Sequence, residues 1–258
     1  MSLVARALFP KGKEPRYAFE ALISMLPEVT LSFAADGISM KALDPSKVAL
    51  LQLSFTAGGL EEYSVDRDVK IGLILSSVRD ALKRVGAAEK LEIGVDEERR
   101  RFVMMVYPKK GREAGISRKF SFPIVQLAEE EIPEINIEYE ASFEMDSATF
   151  DDMMALAESV SDAVSIQVSQ DSVEFSAEGE GGREAASEFG RDSEALYDIN
   201  AQGTVKAKYS VELIRNVSGT LKGISKRVKA ELGDSKPLRL TYEFATGAFT
   251  MVLAPRAD

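Results

Sequence analysis

The sequence predicts an α+β protein built from two similar domains, and three observations lead there. One ten-residue pattern occurs twice: Phe33-Ala34-Ala35-Asp36-Gly37-Ile38-Ser39-Met40-Lys41-Ala42 aligns with Val168-Ser169-Gln170-Asp171-Ser172-Val173-Glu174-Phe175-Ser176-Ala177, each a strand, a tight turn and a strand of alternating side chains. In the same way Phe102 to Pro108 answers to Phe249 to Pro255 near the far end. Four segments carry apolar residues at helical spacing, two in each half. The chain has 258 residues, 45% of them apolar, enough for two domains that each bury a core.

Taken in order, the first half reads as a strand (3–9), a helix (about 15–26), a hairpin (29–43), strands 47–55 and 61–70, a helix (about 72–85) and strands 89–95 and 100–107. The second half reads as a strand (139–146), a helix (about 147–160), a hairpin (163–178), strands near 185–190, 195–201 and 203–209, a helix (about 210–224) and strands 226–232, 237–244 and 247–254. Phe19, Leu22, Ile23 and Leu26 form the apolar stripe of the first helix, and Phe150, Met153, Met154 and Ala157 that of the third. Ile74, Val78, Leu82 and Val85, then Ile214, Val217, Leu221 and Ile224, do the same for the second and fourth. Four helices that each bury one face on antiparallel strands define an α+β architecture. Ser147 ahead of Asp151 and Asp152 reads as a helix start. Between the halves, residues 120–135 hold two prolines and Glu129-Glu130-Glu131 among scattered Ile124, Val125, Leu127 and Ile132. That mixture predicts an extended connector lying on the surface, between an N-terminal domain (1–119) and a C-terminal domain (136–258).

Composition narrows the chemistry. Histidine and cysteine are both absent, so disulfides, thiolate nucleophiles, the usual zinc sites and imidazole bases are excluded. No apolar run approaches the ~20 residues of a membrane span, and no secretory signal is legible at the N-terminus. A soluble, cytoplasmic protein with no membrane partner is expected. The net charge of −10 is uneven: residues 1–119 hold 20 Lys/Arg against 16 Asp/Glu, and residues 120–258 hold 12 against 26. Any contact with nucleic acid must therefore come from local basic patches.

The run Asp36-Gly37-Ile38-Ser39-Met40-Lys41-Ala42-Leu43-Asp44-Pro45-Ser46-Lys47-Val48-Ala49-Leu50-Leu51-Gln52-Leu53 resembles the signature region of the DNA sliding clamps of archaea and eukaryotes, the proliferating cell nuclear antigen family. Glu62-Tyr63-Ser64-Val65-Asp66, Asp162-Ala163-Val164, Val173 to Gly179 and Leu253-Ala254-Pro255-Arg256 match in order along the whole chain. The resemblance implies the DNA clamp fold: a ring of three subunits and six similar domains, helices lining the hole and antiparallel sheets outside. Such a ring encircles duplex DNA without sequence preference and associates with the nucleoid. It is opened by a clamp loader and tethers polymerase, flap endonuclease and ligase as a processivity factor. It needs no cofactor or metal. Some archaeal rings are assembled from distinct related subunits, so two further copies of this chain or two companions are both open.

Three groups of residues follow. Arg79 and Lys83 fall roughly opposite the second helix's apolar stripe with Arg84 on its flank, and Arg215, Lys222 and Lys226 fall opposite the fourth's. On an isolated helix these are an ordinary solvated face; in the implied ring they point at phosphate, with Lys11, Lys13 and Arg16 adding to them. The third helix departs from the family pattern, presenting Asp152, Ala155 and Ser159 where clamps carry basic residues, and Ser218 stands where a lysine is common. Both departures favour a subunit that relies on its neighbours for part of the positive lining.

Leu43, Lys47, Val48 and Leu50, with Val125, Leu127 and Ile132 and with Leu253, Ala254 and Pro255, match the family's docking pocket for an aromatic-ended partner peptide. For Leu50 and Leu253 a core position is an equal reading. Two docked aromatics bury ~150–250 Å² each at ~25 cal/mol per Å². After peptide ordering and association costs, micromolar binding is the expectation. Arg112, Ile116, Arg118 and Lys119 end the first domain with positive charge, and Glu174, Phe175 and Glu178 lie on an acidic strand of the second. By resemblance these edges pair head to tail between subunits; the alternative is two unrelated surface strands.

No catalytic residues are assigned. Glu129-Glu130-Glu131 lies in a connector without a pocket, Asp151 and Asp152 splay apart, and Gly179-Glu180-Gly181-Gly182 lacks the lysine and helix start of a phosphate loop. The competing readings are a carboxylate-dependent hydrolase on a duplicated α+β scaffold and a protein-only ring that never encloses DNA.

Overall fold

The computed structural model describes residues 3–257 apart from 117, 129–131, 133 and 135. Two compact units emerge, one of Met1–Ala42, Gln52–Ile132 and Phe244–Phe249, the other of Leu43–Leu51, Pro133–Glu243 and Thr250–Asp258.

The first unit is built from β1 (Ala5–Phe9), α1 (Lys13–Met25), β2 (Glu28–Ala34), β3 (Gly37–Leu43), β4 (Ala49–Thr56), β5 (Glu62–Val65), β6 (Val69–Ile74), α2 (Leu75–Lys83), β7 (Lys90–Asp96), β8 (Arg101–Tyr107) and β9 (Arg118–Pro123). One strand order is β5-β1-β7-β8-β9 and the other β4-β3-β2-β6. Helices α1 and α2 pack on each other. The hairpin of β2 and β3 turns at Gly37, where φ is 144° and an added Cβ would stand 2.0 Å from the Phe55 carbonyl oxygen, so no side chain fits. Tyr63 Oη closes on the same turn, its single proton shared between the carbonyls of Ala34 (2.6 Å) and Gly37 (2.8 Å).

The second unit holds β10 (Ala141–Asp146), α3 (Ser147–Glu158), β11 (Ala163–Val168), β12 (Ser172–Gly179), β13 (Arg183–Gly190), β14 (Leu196–Ala201), β15 (Val205–Ser210), α4 (Val211–Leu221), β16 (Arg227–Leu232), β17 (Leu238–Phe244) and β18 (Gly247–Leu253). Its strand orders are β14-β10-β16-β17-β18 and β13-β12-β11-β15, and α3 packs on α4. Both orders reproduce those of the first unit position by position, which is the duplication the repeated pattern predicts. The repeat pairs the two hairpins as expected. It also shows that Phe102 to Pro108 corresponds to β17, not to Phe249 to Pro255, because β18 occupies the place of β9. Strands of similar apolar content one hairpin apart are interchangeable to the eye.

Period-2 alternation explains why these segments are strands: Val164, Ile166 and Val168 of β11 and Val173, Phe175 and Ala177 of β12 are buried while their neighbours are not. The Phe175 ring meets Phe143, Phe150 and Phe189 edge to face at 6.0, 5.9 and 6.0 Å. Several expected boundaries move. Residues 72–74 finish β6 instead of opening α2, since a run of Ile71 to Leu75 reads equally as buried strand. The expected strand 61–70 breaks at Asp66-Arg67-Asp68 into β5 and β6. The start of α3 does not move: it opens at Ser147, and Asp146 caps it, its carboxylate accepting the Thr149 N–H at 2.7 Å. The first residues of the connector are regular after all: β9 pairs with β8 from Arg118 to Pro123, the proline standing last in the strand. The triple glutamate lies outside the described residues.

Candidate functional site

Helices α1 and α2 carry cations of two kinds. Arg16 is committed within its unit, Nε to Glu20 at 2.9 Å and Nη1 to the Val85 carbonyl at 3.2 Å, while the Lys13 ammonium sits 5.6 Å from the Tyr17 ring centroid. Lys11, Arg79, Lys83 and Arg84 are exposed. Lys83 is loosely matched by Asp80 at 3.9 Å, and Arg79 and Arg84 have no ion pair among the described residues. The α2 face predicted from the apolar stripe is therefore solvent-facing and positive.

The second helix pair differs. Asp151 of α3 is only 1% exposed and accepts three hydrogen bonds from α4 and its C-terminal cap: Arg215 Nη1 at 2.7 Å, Ser218 Oγ at 2.7 Å and Lys222 Nζ at 2.6 Å. Arg215 also reaches Glu158 at 3.3 Å. Burial by itself raises the Asp151 pKa, but the hydrogen bonds from Lys222, Ser218 and Arg215 outweigh it and hold the carboxyl below its ordinary value. Arg215 and Lys222 thus fall on the face the sequence assigns them, yet both are ion-paired there. Ser218 is fully buried as the third donor, which accounts for a serine at that position. Sequence reasoning saw Asp151 and Asp152 diverge, but not that the buried one collects α4's cations. Lys226 is exposed beyond α4 and lines a cleft of about 400 Å³ with Glu144, Arg227, Lys229 and Glu243.

The docking residues of the second unit are arranged by one carboxylate. Asp44, 6% exposed, accepts the backbone N–H of Val48 (2.9 Å) and Ala49 (2.7 Å) on Oδ1 and of Ser46 (3.0 Å) on Oδ2, with the Ser46 hydroxyl on Oδ2 as well. Burial again raises its pKa, and these four donors overturn that to a lowered value. The turn they define places Lys47 in the left-handed region at φ 60° and leaves Val48 38% exposed. The Val48 carbonyl accepts the Ala254 N–H at 2.8 Å, so the C-terminal segment runs beside this turn. Leu43, Ala254 and Pro255 are half-buried, whereas Leu50 and Leu253 are core, at 3% and 1% exposure. For those two the core reading holds. In the first unit, Val125 bridges to Gly72, where a Cβ would stand 2.4 Å from the Val125 carbonyl oxygen and 2.8 Å from Leu127. Val125, Leu127 and Ile132 are half-buried there.

The candidate edges come out differently from expectation. β9 is a free end of its sheet order, carrying Arg118 and Lys119. In the second unit β12 is interior, paired with β13 along its whole length, and β13 is the outer strand, carrying Glu184 and Glu188. Phe175 is 3% exposed and offers nothing to a neighbour; Glu174 is half-buried and Glu178 exposed. Alternation revealed the strand, but lateral order within a sheet leaves no mark on local sequence. Arg112 is also claimed internally: it pairs with buried Glu92 and, at 2.6 Å, with Glu62, seating the loop that leads to β9. Arg118 pairs with Glu89, and Ile116 is 51% exposed. Among the described residues no cluster of acidic groups suits a metal ion.

A duplicated α+β module with one helix pair per copy and open sheet edges defines a ring-building clamp architecture. The N-terminal domain of proliferating cell nuclear antigen matches residues 11–131 and its C-terminal domain residues 131–257, so the chain belongs to the proliferating cell nuclear antigen family. It is 58% identical to "DNA polymerase sliding clamp 2" of Pyrobaculum aerophilum over 98% of this chain and 99% of that one. It is 24% identical to clamp 1 of the same organism, over 96% of each. Among solved structures it resembles the PCNA2–PCNA3 complex of Sulfolobus tokodaii at TM-score 0.88 and 25% identity, covering 98% of this chain and all of that one. The chain is a DNA polymerase sliding clamp subunit acting in DNA replication, a non-catalytic processivity factor; the hydrolase alternative has no support.

Proposed function

We propose that this subunit closes a trimeric ring around duplex DNA in the cytoplasm, is placed there by a clamp loader, and holds polymerase, flap endonuclease and ligase through peptides that dock beside Val48 and Ala254. The observation that carries this reading is the pair of complementary outer strands on like modules: β9 with Arg118 and Lys119, β13 with Glu184 and Glu188. Unpaired edges of opposite charge favour head-to-tail joining over self-pairing of like edges. The subunit contact therefore runs along β9 and β13, with Lys119 and Ile116 on one side.

The ring is heteromeric in this proposal. Two features support distinct companions: α3 carries no lysine or arginine, and the Pyrobaculum relatives separate into a clamp at 58% identity and another at 24%. The structural relative from Sulfolobus tokodaii is itself a complex of two different clamp subunits. Light scattering on the purified chain tests this directly. A monomer or dimer that becomes a three-subunit species on adding companion clamps is expected; a trimer of this chain alone overturns the heteromeric reading.

A further inference from the structure

The two helix pairs of this chain carry unequal charge, and the difference is built in. Helices α1 and α2 contain Lys13, Arg16, Arg79 and Lys83 against Glu14, Glu20 and Asp80, with exposed Lys11 and Arg84 flanking them. Helices α3 and α4 contain one cation, Arg215, against Asp151, Asp152, Glu158 and Glu212, with Lys222 at the C-cap of α4. Those two cations are also occupied. Asp151 holds both from a 1% exposed position, and Arg215 is shared with Glu158.

We infer that Asp151 acts as a positioning residue that draws Arg215 and Lys222 away from phosphate, so that DNA contact by this subunit is carried by Arg79, Lys83 and Arg84 of the first unit, with exposed Lys226 remaining beside α4 among the described residues. The inference rests on the DNA-encircling reading proposed above. A cation takes part in counterion release only if a phosphate replaces its existing anion, and a buried carboxylate that has lost its solvent is the stronger competitor. The carboxylate's other partner, Ser218, is fully buried, which fixes it in place between the helices. The exposed residues of α3 and its C-cap, Ala148, Asp152, Leu156, Glu158 and Ser159, add no positive charge of their own.

The test is the salt dependence of short-duplex DNA binding by the full chain, read as the slope of log affinity against log salt. Each phosphate contact contributes about 0.9 to that slope. Replacing Arg79, Lys83 and Arg84 together by alanine is expected to flatten it by about 2 to 3. Arg215→Gln and Lys222→Gln, made singly, are expected to leave it within about 0.3, a third of one contact. Asp151→Asn, which removes the anion common to both cations and leaves Arg215 only its contact with Glu158, is expected to steepen it by about 1 to 2. A drop of about 0.9 in either single variant, or a folded Asp151→Asn chain with an unchanged slope, overturns the inference. The single variants alter half-exposed side chains and decide the matter even if Asp151→Asn fails to fold. Failure of the ring assembled from the unaltered chain and its companion clamps to bind duplex in any salt-dependent way refutes the DNA-encircling reading itself, a different result from equal losses at both helix pairs.

Discussion

Replacing Asp44 with alanine and with asparagine should separate the two halves of the turn that presents Val48. In the native turn Oδ1 takes the N–H groups of Val48 and Ala49, while Oδ2 takes the N–H and hydroxyl of Ser46. Alanine removes all four. A hydrogen bond to a charged acceptor contributes about 1.5–3 kcal/mol where the donor is buried, and nearer 1 where water replaces it. Ala49 is fully buried, whereas Ser46 and Val48 are exposed. The sum is about 5 kcal/mol, from roughly 2 at Ala49 and about 1 at each of the other three. Lys47 at φ 60° carries a strain of roughly 1–2 kcal/mol in wild type and variant alike, so it does not add to the difference. Asparagine keeps the carbonyl oxygen and can retain the Val48 and Ala49 bonds, so its loss should be about half that of alanine. The assay is urea unfolding of the three proteins at neutral pH. A folded-state pKa below the ordinary value means the wild-type advantage is full above the unfolded pKa, near 4, and is lost as pH falls through the depressed native value. The gap between wild type and Asp44→Asn should therefore close in acid. Asp44→Ala within about 1 kcal/mol of wild type, or Asp44→Asn as damaging as alanine, would refute the carboxylate's role.

Three further outcomes follow from the same geometry. Phe175→Ala should cost about 3–5 kcal/mol of stability by calorimetry, because its ring fills the centre of three edge-to-face contacts. Glu188→Lys on β13 should leave unfolding unchanged, abolish ring assembly in sedimentation, and regain it when the adjoining β9 carries Lys119→Glu or its equivalent. Glu92→Gln should leave Arg112 half-matched beside a buried neutral group and weaken assembly several-fold by loosening the loop before β9; unchanged assembly would show that Arg112 merely decorates that loop.

The duplication was legible in the sequence because hairpins and helices write their periods locally: the pattern around Gly37 and that around Ser172 announce the same turn, and the stripe of Val78 and Leu82 announces a helix face. Boundaries failed where composition serves two masters, as at Ile71 to Leu75, which is apolar enough for strand or helix. β9 hid behind Pro123 and the glutamates that follow, although a proline at the last position of a strand breaks no ladder bond on which the rest depends. What the sequence could not carry was partnership at a distance. Asp151 and Lys222 are separated by 71 residues, Arg112 and Glu62 by 50, and neither spacing is a signal. The same holds for β13, whose place outside β12 is a fact of sheet order. Residues assigned by helical face came out on that face, but whether a cation there is available depends on what the neighbouring helix offers it.

The central claim is topological, and the most direct measurement of it is retention on DNA. Labelled chain, assembled with its companion subunits and loaded by the clamp loader onto nicked circular duplex, should stay with the circle through gel filtration at high salt and be released when the same circle is cut once to a linear form. Equal retention on circle and line would show ordinary electrostatic binding, and no retention on either would show that no ring encloses the duplex; each contradicts the clamp account.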